Sequence, residues 1–200
     1  MSFRKELKTI LSYSNTESFN KWIIDNGGKL LFNVRDINSI YYENDNFSMY
    51  YDSIEGSVPR KKIRVRNYNK FHTFDSKNNN LELKISSAEG RFKKTTNLSS
   101  FNLSSYIVRD TTYGICKPLI CVSYKRIYYK IKNFRLTIDK DIKYRKISFG
   151  KISDSFYVEK NNIIEIKYTK NEDQLISELF PFTFVRFSKY CRAVEFICRI

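Results

Sequence analysis

Arg60-Lys-Lys-Ile-Arg-Val-Arg-Asn-Tyr68 alternates basic and apolar residues at a period of two, with Lys62, Arg64 and Arg66 on one side and Ile63 and Val65 on the other. Residues two apart on an extended chain share a face, so this stretch reads as a strand with one cationic and one oily side. Five further segments repeat the pattern: Arg4-x-Glu6-x-Lys8, Glu82-x-Lys84, Arg91-x-Lys93, Arg135-x-Thr137-x-Asp139 and Glu165-x-Lys167. Leu81, Leu83 and Ile85 form the oily side of one of them, and Ile164 and Ile166 that of another. Any one segment alone reads as a half-buried strand with a solvated charged face. Six in one chain point to an oily outside and a charged inside, which is a barrel or tunnel.

A lining of guanidinium, ammonium and carboxylate groups suits a polyphosphate chain held by the basic residues and a divalent metal held by the acids. Arginine offers a planar fork to phosphate oxygens and lysine a point charge. Mg²⁺ and Mn²⁺ take carboxylates together with substrate phosphates.

The whole chain bounds these readings. Its 200 residues fit one domain of ordinary size, spanning 1–200. A hydrophobic content of 42%, with 16 Phe and 15 Tyr, supports a folded, β-rich chain rather than a disordered basic tail. The formal charge of +15 calls for an anionic partner: nucleic acid, an acidic membrane surface, a nucleotide or inorganic polyphosphate. No apolar run approaches the roughly 18 residues of a spanning helix. The start, MSFRKELKTIL, lacks the apolar core of a signal peptide. A cytoplasmic protein that does not insert into membranes is expected, with a separate membrane partner left open. Cys116, Cys121, Cys191 and Cys198 fit no zinc or CxxC spacing and read as free thiols. The single histidine, His72, has no evident partner, so hard oxygen ligands must do any metal binding.

Along the chain, a strand near 3–11 precedes Ser14-x-x-Glu17, a capping box, and then Phe19, Trp22 and Ile23 at helical spacing before Gly27-Gly28. That helix is expected to plug or buttress one side. VRDINSIYYEN reads as a strand joined to RKKIRVRNY by a hairpin-like connection containing Gly56 and Pro59. LELKISSAEGRFKKTT reads as a hairpin turning at Ala88-Glu89-Gly90, with opposite charges facing across it. Residues 97–117 read as an insertion with a short helix ending near Gly114 and Pro118. ICVSYKRIYYK, NFRLTIDKDIKYRK and NNIIEIKYTK follow as strands, and Asn171 is placed to cap a helix over EDQLISELF, stopped by Pro181. FTFVRFSKYCRAVEFICRI fits helix or strand.

The ordered series Glu-x-Lys, SIYYEN, KKIRVRNY, ELK, RFKK, YKR, RLTID, IIEIKY and SKY resembles the VTC domain of polyphosphate polymerases, within the triphosphate tunnel metalloenzyme (CYTH-like) superfamily. The resemblance covers nearly the whole chain and implies an α+β, β-dominated fold: a closed antiparallel β-barrel tunnel with a few buttressing helices. It implies that Lys8, Arg64, Arg66, Lys84, Arg126 and Arg135 hold phosphate, with Lys62 and Lys93 as neighbours. Glu165 is implied as the leading metal ligand, with Glu6 and Glu82 as further candidates for Mn²⁺ or Mg²⁺. Lys189, in Ser188-Lys189-Tyr190, matches the lysine that the family places near the reacting phosphate, so Lys189, Arg135 and Arg126 are the catalytic candidates. Asp139 either binds metal or holds Arg135 or a neighbouring lysine in place. Arg4 stands where the superfamily's commoner first-strand pattern has an acid, and Glu43 where an Asp is usual. Nothing in the chain resembles an SPX domain or the membrane domains attached to some relatives, so regulation through SPX is not expected within it.

The implied reaction is metal-dependent transfer of the ATP γ-phosphate to a growing polyphosphate chain, with ATP and polyphosphate as partners and no stable nucleic-acid partner. Two other readings stay open at this point. One is a tunnel triphosphatase acting on inorganic triphosphate, a nucleotide or an RNA 5′ end. The other is a noncatalytic polyphosphate- or RNA-binding module, in which the basic strands and the many Tyr serve as an electrostatic and stacking platform, although the adjacent pairs Tyr41-Tyr42 and Tyr128-Tyr129 put at most one ring on each face and read first as core packing.

Overall fold

The alternating segments are strands, and their oily sides are what they bury. The computed structural model describes residues 4–68, 74, 78–169 and 172–200. The strands are β1 (Arg4–Leu11), β2 (Lys29–Glu43), β3 (Arg60–Asn67), β4 (Asn79–Ser87), β5 (Gly90–Leu98), β6 (Val108–Asp110), β7 (Gly114–Ile131), β8 (Phe134–Ser148), β9 (Lys151–Ile152), β10 (Tyr157–Val158) and β11 (Asn162–Thr169). The helices are α1 (Thr16–Asp25), α2 (Ser48–Glu55), α3 (Asp173–Leu179) and α4 (Lys189–Cys198). This is the α+β, β-dominated antiparallel architecture expected from the sequence. Among the described residues no helix is long and apolar enough to cross a membrane. His72 and Asn171 lie outside the described residues.

Hydrogen-bonded neighbours follow the order β1-β11-β8-β7-β2-β3-β4-β5, with β9 and β10 paired to β8 and β6 to β7. The end strands β1 and β5 are not hydrogen-bonded to each other among the described residues, so the ladder is open where a barrel closed by strand pairing was expected. Each end has its own protection against stray pairing. The carbonyl of Lys8 accepts from the Val185 amide at 2.8 Å and Thr9 Oγ1 donates to the Thr183 carbonyl at 2.6 Å, so an extended segment covers β1. β5 is exposed and carries Arg91, Lys93 and Lys94, whose charges repel a like strand.

Two compact units share the chain. The first comprises the stretch ending at Arg35, Tyr124–Ile142 and Glu159–Phe187. Its core gathers the oily sides of the strands: Leu11, Ile131, Phe134, Leu136, Ile138, Ile164 and Ile166 pack with Phe19 and Ile23 of α1 and with Ile176 and Phe180. α1 buttresses this sheet as expected, through its 3- and 4-spaced apolar residues. The helix does not use Ser14-x-x-Glu17 as a capping box. Ser14 lies in a single 3₁₀ turn, Tyr13–Asn15, and the N-cap is Asn15 with no side-chain capping bond. Its end is as the sequence predicts: Gly27 sits at φ +67°, and the Gly27 and Gly28 amides donate to the Ile24 and Ile23 carbonyls at 2.9 and 2.8 Å, a Schellman closure. A Cβ on Gly28 would come within 2.4 Å of the Ile23 side chain, so this position admits only glycine.

The second unit comprises Asp36–Ser123, Lys143–Val158 and Ser188–Ile200. β2 and β3 are joined by the helix α2, not by the hairpin-like connection expected, because no apolar periodicity announces so short a helix. Glu43 builds it: its buried carboxylate accepts from the amides of Met49 at 3.2 Å and Tyr50 at 3.0 Å, satisfying orphan donors at the helix start and opposing the dipole there. The β4–β5 hairpin turns at Ala88-Glu89 as read, with Ser87 opposite Gly90. Residues 97–117 contain β6 and turns rather than the expected helix. Of the tail's two alternatives the helix is found, from Lys189, where the Ser188 hydroxyl accepts from the Cys191 amide at 3.3 Å, and the residues from Phe182 to Ser188 form no strand. All four cysteines are free thiols.

Candidate functional site

In the first unit one face of three neighbouring strands carries the ionic residues. Antiparallel register sets Lys8 opposite Glu165 and Glu6 opposite Lys167 between β1 and β11, and Glu165 opposite Thr137 and Lys167 opposite Arg135 between β11 and β8. Lys167 Nζ lies 2.9 Å from Glu165 Oε1 and 3.5 Å from Glu6 Oε2, so one ammonium joins the two carboxylates named as metal ligands. Lys8 Nζ lies 3.3 Å from Glu6 Oε1 and donates to the Phe187 carbonyl at 3.0 Å. Lys167 was not singled out as a site residue, although Glu165-x-Lys167 already set it on the charged face.

Arg126, on β7, belongs to the same unit. Its Nε and Nη2 donate to Asp139 Oδ1 and Oδ2 at 2.5 and 2.7 Å, a bidentate pair, and its Nη2 lies 4.0 Å from Glu165 Oε2. Its guanidinium also stands 5.3 Å from the Tyr124 ring. Burial disfavours the charged guanidinium, but Asp139, Tyr124 and Glu165 outweigh it and hold Arg126 firmly protonated. Asp139 is fully buried. The arginine it holds is Arg126, where the sequence reading named Arg135 or a lysine. Arg135 instead has a buried Nε with no hydrogen-bond partner, and Lys167 stands directly opposite it across the ladder. Like charges in direct cross-strand opposition are unfavourable, and an unpartnered buried donor is costly.

The second unit is more strongly cationic. Lys62 is opposite Lys84, and Lys84 is opposite Lys93, so three ammonium-bearing residues form one row across β3, β4 and β5. The register of the hairpin thus sets lysine opposite lysine here, while the opposite charges expected across it meet on the diagonal, between Glu82 and Lys93. The next row holds Tyr41, Arg64, Glu82 and Thr95. Glu82 is nearly fully buried and is the shared acceptor: Arg64 Nε reaches Oε2 at 2.7 Å, Lys93 Nζ reaches Oε1 at 2.5 Å, and Arg66 Nη1 lies 3.9 Å away. Burial raises its pKa, but Arg64, Arg66 and Lys93 prevail and hold it down to about 2. Arg66 Nε also donates to Ser39 Oγ at 3.0 Å.

Three groups named in the sequence take roles here that it did not indicate. Tyr41 accepts from Arg64 Nη1 at 3.0 Å, and although burial opposes ionisation, Arg64, Arg66 and Lys62 bring its phenol down to about 8. Ser188 accepts from Lys62 Nζ at 2.9 Å while capping α4, whose first residue is Lys189. Tyr190 donates its hydroxyl to Glu43 and lies with its ring 5.2 Å from that of Tyr41. Burial and the Glu43 carboxylate push the Tyr190 phenol far up, so it stays a donor. Strand alternation indicates which side a residue faces but not which helix will meet it. Tyr41, Tyr42 and Tyr128 are buried and pack within the protein rather than forming an open stacking platform.

Among the described residues no group of three or more His, Cys, Asp or Glu side chains is gathered as a metal centre. Glu6 and Glu165 are the pair of hard oxygen donors on the first unit's ionic face, whereas Glu82 is committed to cations. Two carboxylates completed by phosphate oxygens and water fit the coordination habits of Mg²⁺ or Mn²⁺.

A sequence profile described as the VTC domain matches residues 3–114 and 111–198. No curated protein matches the chain. Among solved structures, a candidate adenylate cyclase from Vibrio parahaemolyticus is 12% identical, with 97% of this chain and 98% of that chain covered at a TM-score of 0.55. A conserved hypothetical protein from Pyrococcus furiosus is 12% identical, with 94% and 99% covered at a TM-score of 0.57. At these identities the likeness is one of fold.

Proposed function

Because the chain belongs to the VTC domain family, we propose that it is a metal-dependent phosphotransferase that moves the γ-phosphate of ATP onto a growing polyphosphate chain. The observation that carries this reading is the cross-strand row Lys62, Lys84 and Lys93. Cations set side by side across neighbouring strands match the repeating charge of a linear polyanion. Arg135 facing Lys167 repeats the logic in the first unit.

Phosphoryl transfer asks mainly for positioning and charge stabilisation, since its loose transition state spreads charge over the equatorial oxygens. Lys8, Arg126 and Arg135 in the first unit, and Lys62, Arg64, Arg66, Lys84 and Lys93 in the second, bind and orient phosphates. Lys189 neutralises charge at the reacting phosphate. A terminal oxygen of the acceptor chain attacks the γ-phosphorus, the bond from that phosphorus to the bridging oxygen breaks, and ADP leaves with it. Glu165 and Glu6 would hold Mg²⁺ or Mn²⁺, which when bound supplies further neutralisation of phosphate charge. Glu82 keeps Arg64 and Lys93 aligned. Asp139 does the same for Arg126.

The test is incubation of the purified chain with ATP and Mn²⁺ or Mg²⁺, with and without a short polyphosphate primer, resolving long chains from orthophosphate. Long chains with matching ADP are expected. Free phosphate instead would assign a triphosphatase, and bound ligand with no turnover would assign a binding module.

A further inference from the structure

In the second unit, Lys143–Val158 folds back on itself: Tyr157 and Val158 pair with Tyr144 and Lys143, and Lys151 and Ile152 pair with Ser148 and Ile147. The turn between Ser148 and Lys151 consists of Phe149 and Gly150, at φ +50° and +70°. Two successive positive φ values are the mark of a type I′ turn, whose first position favours Asn, Asp or Gly. A phenylalanine there is backbone-unfavourable, and its ring is 102% exposed, so it gains nothing from packing in return. Lys146 and Lys151 flank the tip and are exposed. Further along the arm, Phe156, Tyr157 and Val158 are 45, 44 and 54% exposed. The Phe156 ring is covered by Lys143 Nζ at 4.7 Å and the Arg145 guanidinium at 4.9 Å. The segment carries Lys143, Arg145, Lys146 and Lys151 against the single acid Asp154.

We propose that this hairpin docks on an anionic lipid surface, with Phe149 entering the interfacial region and Lys146 and Lys151 against the headgroups. An exposed aromatic tip rimmed by cations is the chemistry that such a surface rewards, through apolar burial and attraction to acidic lipid together. Single-stranded nucleic acid fits less well, because base stacking needs ring faces in series. Phe149 stands alone at the tip, and Phe156 already carries two cations. The inference does not depend on the reaction assigned above, since none of these residues takes part in it.

The experiment is sedimentation of the full chain with phosphatidylcholine vesicles, alone or containing about one-third phosphatidylserine. Capture by the acidic vesicles only is expected, weakened roughly tenfold in Phe149→Asn. The same variant places Asn-Gly in the type I′ turn and should melt about 2 °C higher, so lost binding cannot be ascribed to unfolding. Lys146→Glu combined with Lys151→Glu should also weaken capture roughly tenfold. In Phe149→Trp the emission should shift to the blue on acidic vesicles and be quenched by brominated acyl chains. Capture unchanged in Phe149→Asn would overturn the proposal, leaving only diffuse attraction by a +15 chain. Absence of capture would overturn it too, as would a Phe149-dependent affinity for oligouridylate without one for lipid.

Discussion

The two ionic faces differ in how they are balanced. In the first unit Glu6, Asp139 and Glu165 accompany Lys8, Arg126, Arg135 and Lys167, so nearly every cation has a carboxylate within reach. In the second unit Glu82 holds Arg64, Arg66 and Lys93 together, and the register sets Lys62 opposite Lys84 and Lys84 opposite Lys93. In the first unit Lys167 lies between the carboxylates of Glu6 and Glu165. That contrast can be attacked residue by residue.

The largest effect should come from Asp139→Ala. It leaves the Arg126 guanidinium buried beside no bidentate partner, at a cost of about 3–5 kcal/mol, read by urea unfolding. A small loss would mean that Asp139 is not chiefly the anchor of Arg126, and would reopen it as a metal ligand. Next is Glu82→Gln, the equivalent lesion in the other unit. With its folded-state pKa at about 2 against an ordinary 4.5, Glu82 contributes about 3 kcal/mol at neutral pH. A depressed carboxylate stabilises above its unfolded pKa, and the contribution fades as pH falls through the folded one. The gap between wild type and Glu82→Gln should therefore be constant above pH 4.5 and close as pH approaches 2. A gap that persists at low pH would show that packing, not charge, is lost.

Turnover should respond to Lys189→Ala by roughly 10²–10³-fold, the usual scale for losing one preorganised charge-stabilising group. Arg135→Ala should behave alike, because each removes a cation from a set whose members repel one another. Thermal melts should be nearly unchanged. Global unfolding of either variant would contradict the view that these charges serve the ligand and not the fold. Glu165→Gln should abolish metal-dependent activity while leaving polyphosphate binding equal or stronger, since it removes negative charge.

Much of this was readable in the chain because strand alternation and turn chemistry act locally. The ionic face of β11 follows from Glu165-x-Lys167 with Ile164 and Ile166 between and before them, and the β4–β5 turn from Ala88-Glu89-Gly90. What was not readable depends on neighbours distant in sequence. Alternation placed Asp139 on the charged face but could not tell whether a β7 or a β8 arginine would reach it, and Arg126 does. Glu43 looked like a departure from an aspartate position. Only the fold shows its carboxylate at the start of α2, accepting from the Asn44, Met49 and Tyr50 amides and the Tyr190 hydroxyl. α2 itself lacks the apolar repeat that a sequence reading needs, because its start is held by that carboxylate.

The smallest expected change in stability gives the sharpest reading of the comparison. Lys93 has a side chain 49% exposed, so its ion pair with Glu82 is screened by solvent, and Lys93→Ala should alter stability by no more than about 0.5 kcal/mol. Removing it nonetheless takes one ammonium from the row with Lys62 and Lys84, and polyphosphate affinity should fall severalfold with a shallower dependence on salt. Lys167→Ala in the first unit removes an equal charge, but one engaged with Glu6 and Glu165. There the expected outcome is tighter divalent-ion binding at the uncovered carboxylates, measured by calorimetry on the phosphate-free protein. If the two alanine variants instead behave identically towards polyphosphate and towards metal, the two faces are not specialised.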